Sequence, residues 1–219
     1  MTQQIEWADG SDDKIYITAN EFSGNQQIAV SSDPNTGAAR SKVVTFSAGN
    51  VSKTLTVEQA AGAQEKTLTL YPSSYDTENY SWYSASNISN GYASAASSSY
   101  AQLTNAGSYA ECYIFYKFDT SQIPNGATIL SVECSVKALA NGNSTTTPQK
   151  KIQLFTGTTA KGSASNMTSS LNTIALDAGD WTLAELRDIR VRAYTKAGST
   201  TSRYYIRFYG ATLTIKYRE

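Results

Sequence analysis

Residues 113–138 read YIFYKFDTSQIPNGATILSVECSVKA, and this stretch decides the fold class. Ahead of the turn, Cys112, Ile114, Tyr116 and Phe118 alternate with Tyr113, Phe115 and Lys117. Beyond an Ile-Pro-Asn-Gly turn, Leu130, Val132, Cys134, Val136 and Ala138 alternate with Ser131, Glu133, Ser135 and Lys137. A period of two puts one set on a buried face and the other toward water, the pattern of half-buried antiparallel strands. The stretch therefore predicts a hairpin, with both cysteines on its apolar face and on neighbouring strands. They are either a disulfide or two small apolar residues in a reduced core. The N-terminus MTQQIEWADG has neither a basic nor an apolar export segment, so the reduced core is the expectation.

Upstream of this stretch, TLTLYP predicts a strand with Leu68 and Leu70 inward. It is followed by some 38 residues of Ser, Ala, Asn and Tyr with only broken strand signals, read as a long functional loop. Downstream come the KIQLFTG strand, a Gly/Ser/Asn loop, a short NTIALDAG strand and a short helix. Thr182 and Glu185 form a capping box ahead of that helix. IRVRAY points Ile189, Val191 and Ala193 inward. The last strand buries Ile206 and Phe208, then switches parity to Ala211, Leu213, Ile215 and Tyr217, which places a β-bulge at Tyr209–Gly210. Residues 67–219 thus read as a jelly-roll-type β-sandwich with one short helix.

Residues 1–62 show five short strand runs between Gly, Asn and Asp turns, the spacing of an immunoglobulin-like sandwich. Its inward candidates are Ile15, Ile17, Ile28, Val30, Val44, Phe46, Leu55 and Val57. The run 62–66, GAQEK, reads as a polar hinge too brief for wide swing. The whole chain is therefore expected to be all-β, in two domains at 1–62 and 67–219.

Two resemblances rest on these residues. Ser31–Gly62 resembles the C-terminal half of the BACON family, immunoglobulin-like modules common in Bacteroidetes proteins and their phages. The matching parts are an N-x-G-x-x-R turn (Asn35, Gly37, Arg40), a VTF strand, and a last strand ending V-x-Q before small residues and a glycine (Val57, Gln59, Gly62). The family name implies carbohydrate binding. Tyr116, Phe118, Asp119, Ser121, Ile123, Pro124, Ala127 and Ile129 are similar to the Y-x-x-FD-x-S-x-IP-x-x-A-x-I motif. That motif marks DNRLRE-type β-sandwich modules of bacterial surface proteins and, in variant forms, of phage structural proteins.

The chain has no histidine, so no imidazole relay and no His-based zinc site can be built, and two cysteines are too few for a thiolate site. No Gly-rich phosphate loop is present. Glu111, Asp119, Asp177 and Asp180 could pair as glycosidase carboxylates, but Asp119 reads as a cap on the turn 120–126. Asp9, Asp12 and Asp13 offer calcium oxygens or a solvated turn. Arg190, Arg192, Arg203 and Arg207 read as one solvated outer face. The formal net charge is zero, which gives no reason to expect nucleic acid or membrane as partner.

The expectation is a non-enzyme without cofactor or metal, whose contacts are aromatic. Tyr75, Tyr80, Trp82, Tyr83, Tyr92 and Tyr100 are the candidate partner- or glycan-contact residues. The two resemblances imply a virion structural protein, similar to those of crAss-like phages of Bacteroidetes, as a capsid decoration (auxiliary) or head-fibre protein. It would be made in the host cytoplasm without Sec export. Implied partners are the major capsid protein, other virion proteins or further copies of itself. The alternative is a pair of modules that recognise host-surface glycans.

Overall fold

The computed structural model describes residues 2–18, 28–76, 82–106, 111–142, 149–196 and 203–219. At 2, 48, 82–85, 105, 106, 111, 112, 203 and 204 it describes the backbone alone. The chain divides into two compact units, Met1–Gln64 and Glu65–Glu219.

In the first unit, β1 (Thr2–Glu6), β2 (Lys14–Thr18) and β3 (Ala29–Ser32) form an antiparallel sheet in that order. β4 (Arg40–Ala48) and β5 (Val51–Gln59) form a two-stranded antiparallel ribbon. Alternation drives Ile15 and Ile17 inward, and with Trp7 and Val44 they make a small buried core flanked by Ile5, Ile28, Phe46 and Val57. Val30 and Leu55, expected inward, are 37% exposed. Their parity is as expected, since Val30 sits opposite Ile17 and Leu55 opposite Val44. So small a core does not cover them.

A polar hub supplements that core. The Arg40 side chain is 5% exposed, and its guanidinium lies 4.5 Å over the Trp7 ring. It pairs with Asp9 at 3.1 Å and Asp13 at 2.9 Å, and its Nε donates to Gln59 Oε1 at 2.9 Å. Asn35 closes the neighbouring turn: its Nδ2 donates to the carbonyls of Ala38 and Ala60, and its Oδ1 accepts from Gly37 N–H. At Gly62 a Cβ would run into the Asn35 carbonyl, which explains the glycine. In this unit, then, the acids 9 and 13 are paired with the Arg40 guanidinium.

The second unit is a two-sheet sandwich. Its strands are β6 (Glu65–Leu70), β7 (Pro72–Asp76), β8 (Trp82–Ser86), β9 (Ala101–Ala106), β10 (Glu111–Phe118) and β11 (Thr128–Gly142). β12 (Gln149–Thr156), β13 (Thr159–Asn166), β14 (Asn172–Leu176), the helix α1 (Leu183–Leu186), β15 (Ile189–Lys196) and β16 (Arg203–Arg218) follow. One sheet runs β13-β12-β15-β10-β7 and the other β14-β11-β16-β9-β8. β16 is the axis of the larger sheet: β11 pairs along its length, while β9 and then β6 pair on its other edge. The core between the sheets takes Ile114, Tyr116 and Phe118 from one and Val136, Phe208 and Leu213 from the other.

The predicted hairpin is an arch. β10 lies in the five-stranded sheet and β11 in the six-stranded one, so the two are not paired neighbours. The turn between them buries Ile123 and Ala127. Thr120 Oγ1 donates to the Leu186 carbonyl at 3.0 Å, and the Arg187 guanidinium donates to the carbonyls of Thr120 and Ile123 and to Asn125 Oδ1. A turn that carries apolar side chains inward connects two layers; the turn of a simple ribbon stays wet. Cys134 is a buried free thiol, and Cys112 lies on the opposite sheet with its side chain outside the described residues.

Three other expectations change. Leu130 is 41% exposed, because a bulge between Ile129 and Ser131 turns Ile129 inward in its place. The 38-residue segment read as a loop holds β7, β8 and β9, and the Gly/Ser/Asn loop holds β13; ladder pairing overrides weak local propensity. In the presumed hinge, Gly62 N–H bonds to the Gly37 carbonyl, and Glu65 and Lys66 already belong to β6.

The capping box at Thr182 and Glu185 is present, as is the bulge at Tyr209–Gly210. Gly210 sits at φ 141°, and a Cβ there would be driven into the Ala93 carbonyl, which accepts from Ala211 N–H at 3.0 Å. That contact fills the gap on β16 between the strands β9 and β6.

Candidate functional site

The Tyr-rich segment winds around the larger unit and delivers its rings to separate places. Tyr75 lies on the edge strand β7 opposite Tyr116 and is 42% exposed. A 3-10 turn at Ile88–Tyr92 then brings Tyr92 in, 6.3 Å from Tyr75 and 6.3 Å from Tyr116 in an edge-on arrangement. Tyr116 stacks on Phe208 at 4.2 Å and 12°. Gly91 is required here, because a Cβ would enter the Tyr116 ring. The result is a file of aromatics from core to surface, ending in an exposed ring on a rigid base. Burial pushes the Tyr116 hydroxyl well above the ordinary phenol range, and burial with the neighbouring Tyr75 raises that of Tyr92. These hydroxyls therefore stay neutral donors and acceptors near neutral pH.

Tyr100 is elsewhere. It packs 5.1 Å from Tyr209, with the Arg207 guanidinium 4.6 Å over its ring, on the outer face of the six-stranded sheet. Trp82 and Tyr83 are on β8, with their side chains outside the described residues; Tyr80 lies outside them altogether. Of the six candidates, the structure brings together Tyr75 and Tyr92 and separates Tyr100 from them.

The arginines do not share one face. Arg190 and Arg192 are on β15 and Arg207 is on β16, in opposite sheets; the Arg203 side chain is outside the described residues. Arg192 lies over the rings of Tyr113 at 4.6 Å and Tyr194 at 4.4 Å, and Arg190 lies 5.5 Å from Phe115. Asp76 binds Lys117 at 2.6 Å and Arg190 at 3.3 Å, and the Lys117 ammonium holds its carboxyl below the usual range. This stack buries Phe115, Phe155 and Tyr194 on the outside of the five-stranded sheet. It was missed in the sequence, although Tyr113 and Phe115 on the supposedly wet face were its signal.

Two of the four candidate catalytic carboxylates hold backbone N–H groups. Asp119 Oδ1 accepts from Ser121 N–H at 2.9 Å, capping the arch as expected. Asp177 Oδ2 accepts from Ser163 N–H at 3.0 Å. Asp180 is exposed, and the Glu111 side chain lies outside the described residues. Among the described residues no group of three or more acids or cysteines could hold a metal ion, and no helix is long and apolar enough to cross a membrane.

Residues 6–60 match the model of the BACON family, described as "Putative binding domain, N-terminal". The match begins at Glu6, so it takes in the Trp7 and Asp9 side of the hub as well as the Asn35–Arg40 turn. The first unit is a BACON-like module. No curated protein matches the chain.

Proposed function

We propose that the chain is a binding protein that acts by surface contact and not by chemistry. It docks on a larger protein assembly through the aromatic rim of its second unit. The observation that carries this is the file Tyr75–Tyr92–Tyr116–Phe208, which anchors an exposed ring to buried core aromatics. A rigid, half-exposed tyrosine gives contact area at little entropic cost. The engagement of Asp119 and Asp177 in backbone hydrogen bonds supports the non-catalytic reading. The resemblances of Tyr116–Ile129 and Ser31–Gly62 are what favour a phage particle as that assembly, with the chain as a capsid decoration or head-fibre protein.

Mass spectrometry of purified particles is expected to find the intact chain at a fixed ratio to the major capsid protein. Its absence there defeats the virion assignment. Tyr75→Ala, at an exposed position, is expected to lower occupancy on the particle at least tenfold while the thermal unfolding of the free protein is unchanged. Full occupancy by this variant defeats the rim as the docking surface.

A second reading has its own support: the BACON description is that of a binding domain, and an exposed tyrosine can stack on a sugar ring. Saturable binding of the full chain to bacterial surface glycans on an array would favour it, and its loss in Tyr75→Ala would assign it to the second unit rather than to the BACON-like module.

A further inference from the structure

The geometry points to a second contact site, separate from the aromatic rim: the first stretch of β11, Thr128–Glu133, which no described strand pairs on the side away from β16, accepts an extended segment of a partner protein as an added strand. β14 pairs with β11 only at residues 134–138, whereas β11 begins at Thr128 and β16 occupies its other edge. Thr128–Glu133 therefore keeps a row of backbone N–H and C=O groups directed away from β16.

Facing that row is the turn 177–181. Between them lies a groove of about 400 Å³ lined by Ile129–Val132 and Gly179–Trp181. It is continuous, through Val132 and Gly179, with a depression of about 340 Å³. Small residues, Ser135, Ala175, Thr212 and Thr214, line that depression and leave room for a side chain carried by the added strand. The far wall is firm, since Trp181 is buried and its Nε1 donates to the Ala178 carbonyl at 2.6 Å.

The chemistry of the occupant follows from the lining. Glu133 and Asp180 are exposed at the two grooves, and neither groove is lined by a lysine or arginine. Complementarity calls for a segment in which Lys or Arg alternates with small β-branched residues. Exposed Leu130 adds an apolar contact. The bulge at Leu130 confines pairing to a short run, which disfavours edge-to-edge joining with a second copy and suits a short peptide.

The test is a selection of displayed random octapeptides against the full chain and against Glu133→Lys/Asp180→Lys, both exposed positions. Enriched peptides are expected to alternate basic and β-branched residues and to lose at least tenfold in binding to the double variant. Each bound peptide should slow amide exchange within Thr128–Glu133 at least tenfold and leave the Tyr75 rim unaffected. Equal enrichment on both proteins would overturn the proposal, as would no enrichment or protection that misses Thr128–Glu133. Concentration-dependent dimerisation abolished by the double variant would overturn it in favour of a second copy. The rim variant Tyr75→Ala is expected to bind these peptides normally, so the two sites fail independently.

Discussion

The two units solve the same problem with different means. Among the described residues, the core of the larger one buries twenty-nine apolar side chains and that of the smaller one four. What the smaller unit lacks in core it replaces with one arginine that stacks on Trp7 and ties together Asp9, Asp13 and Gln59. Small domains bury too little surface to be secure on apolar packing alone. A core of many members tolerates the loss of one contact, whereas a hub does not.

The sharpest way to break that contrast is Arg40→Ala. Loss of the hub is expected to unfold the first unit at room temperature while the second stays intact. In a two-dimensional amide spectrum, the dispersed signals of residues 2–59 should collapse and those of 65–219 persist. A folded first unit in this variant would mean that its four-residue core suffices. Gly210→Ala is the counterpart in the larger unit. The left-handed φ and the collision with Ala93 should cost about 3 kcal/mol, read as a lower melting temperature of a unit that nevertheless still folds.

Arg187→Ala removes the clamp on the arch from an exposed position, and about 1 kcal/mol is expected in denaturant unfolding. Acid should separate the units more gently. Bonds from the Ser11 backbone and hydroxyl, then Arg40, hold Asp9 at about 2; Lys161 and then Thr182 hold Glu185 at about 2. Both values lie below the ordinary 3.8 and 4.5, so each carboxylate contributes stability that is complete above that range and lost as pH falls through it toward 2. The first unit should lose its signals at the higher pH. The smallest effect is expected at Cys134, whose thiol burial pushes up to about 12. Peptide mapping after iodoacetamide at pH 8 should find it unmodified in the native protein and modified in urea.

Much of this was legible in the chain. Period-two runs locate the strands around residues 113–138, the switch at Gly210 locates the bulge, and Thr182 with Glu185 locates the helix start. The arch was not legible from alternation, because parity says which face a residue takes and not which strand it meets. Ile123, an apolar residue within the turn, was the available hint. The Leu130 bulge carries no glycine to announce it. Tyr100 is part of the same Tyr-rich run as Tyr75 and Tyr92. However, that run crosses from one sheet to the outside of the other, and only the three-dimensional path separates them.

The pairing of β6 with β16 has a mechanical consequence. These strands open and close the larger unit, and they run antiparallel with Glu65 against Arg218 and Lys66 beside Glu219. Tension applied between Glu65 and Glu219 would therefore not shear the ladder as a block. It would peel the strands apart one rung at a time, from the Glu65–Arg218 rung inward to Leu70–Leu213, so a modest force suffices to start the separation. A pull through Glu65 and the far side of the sandwich would instead load many rungs together.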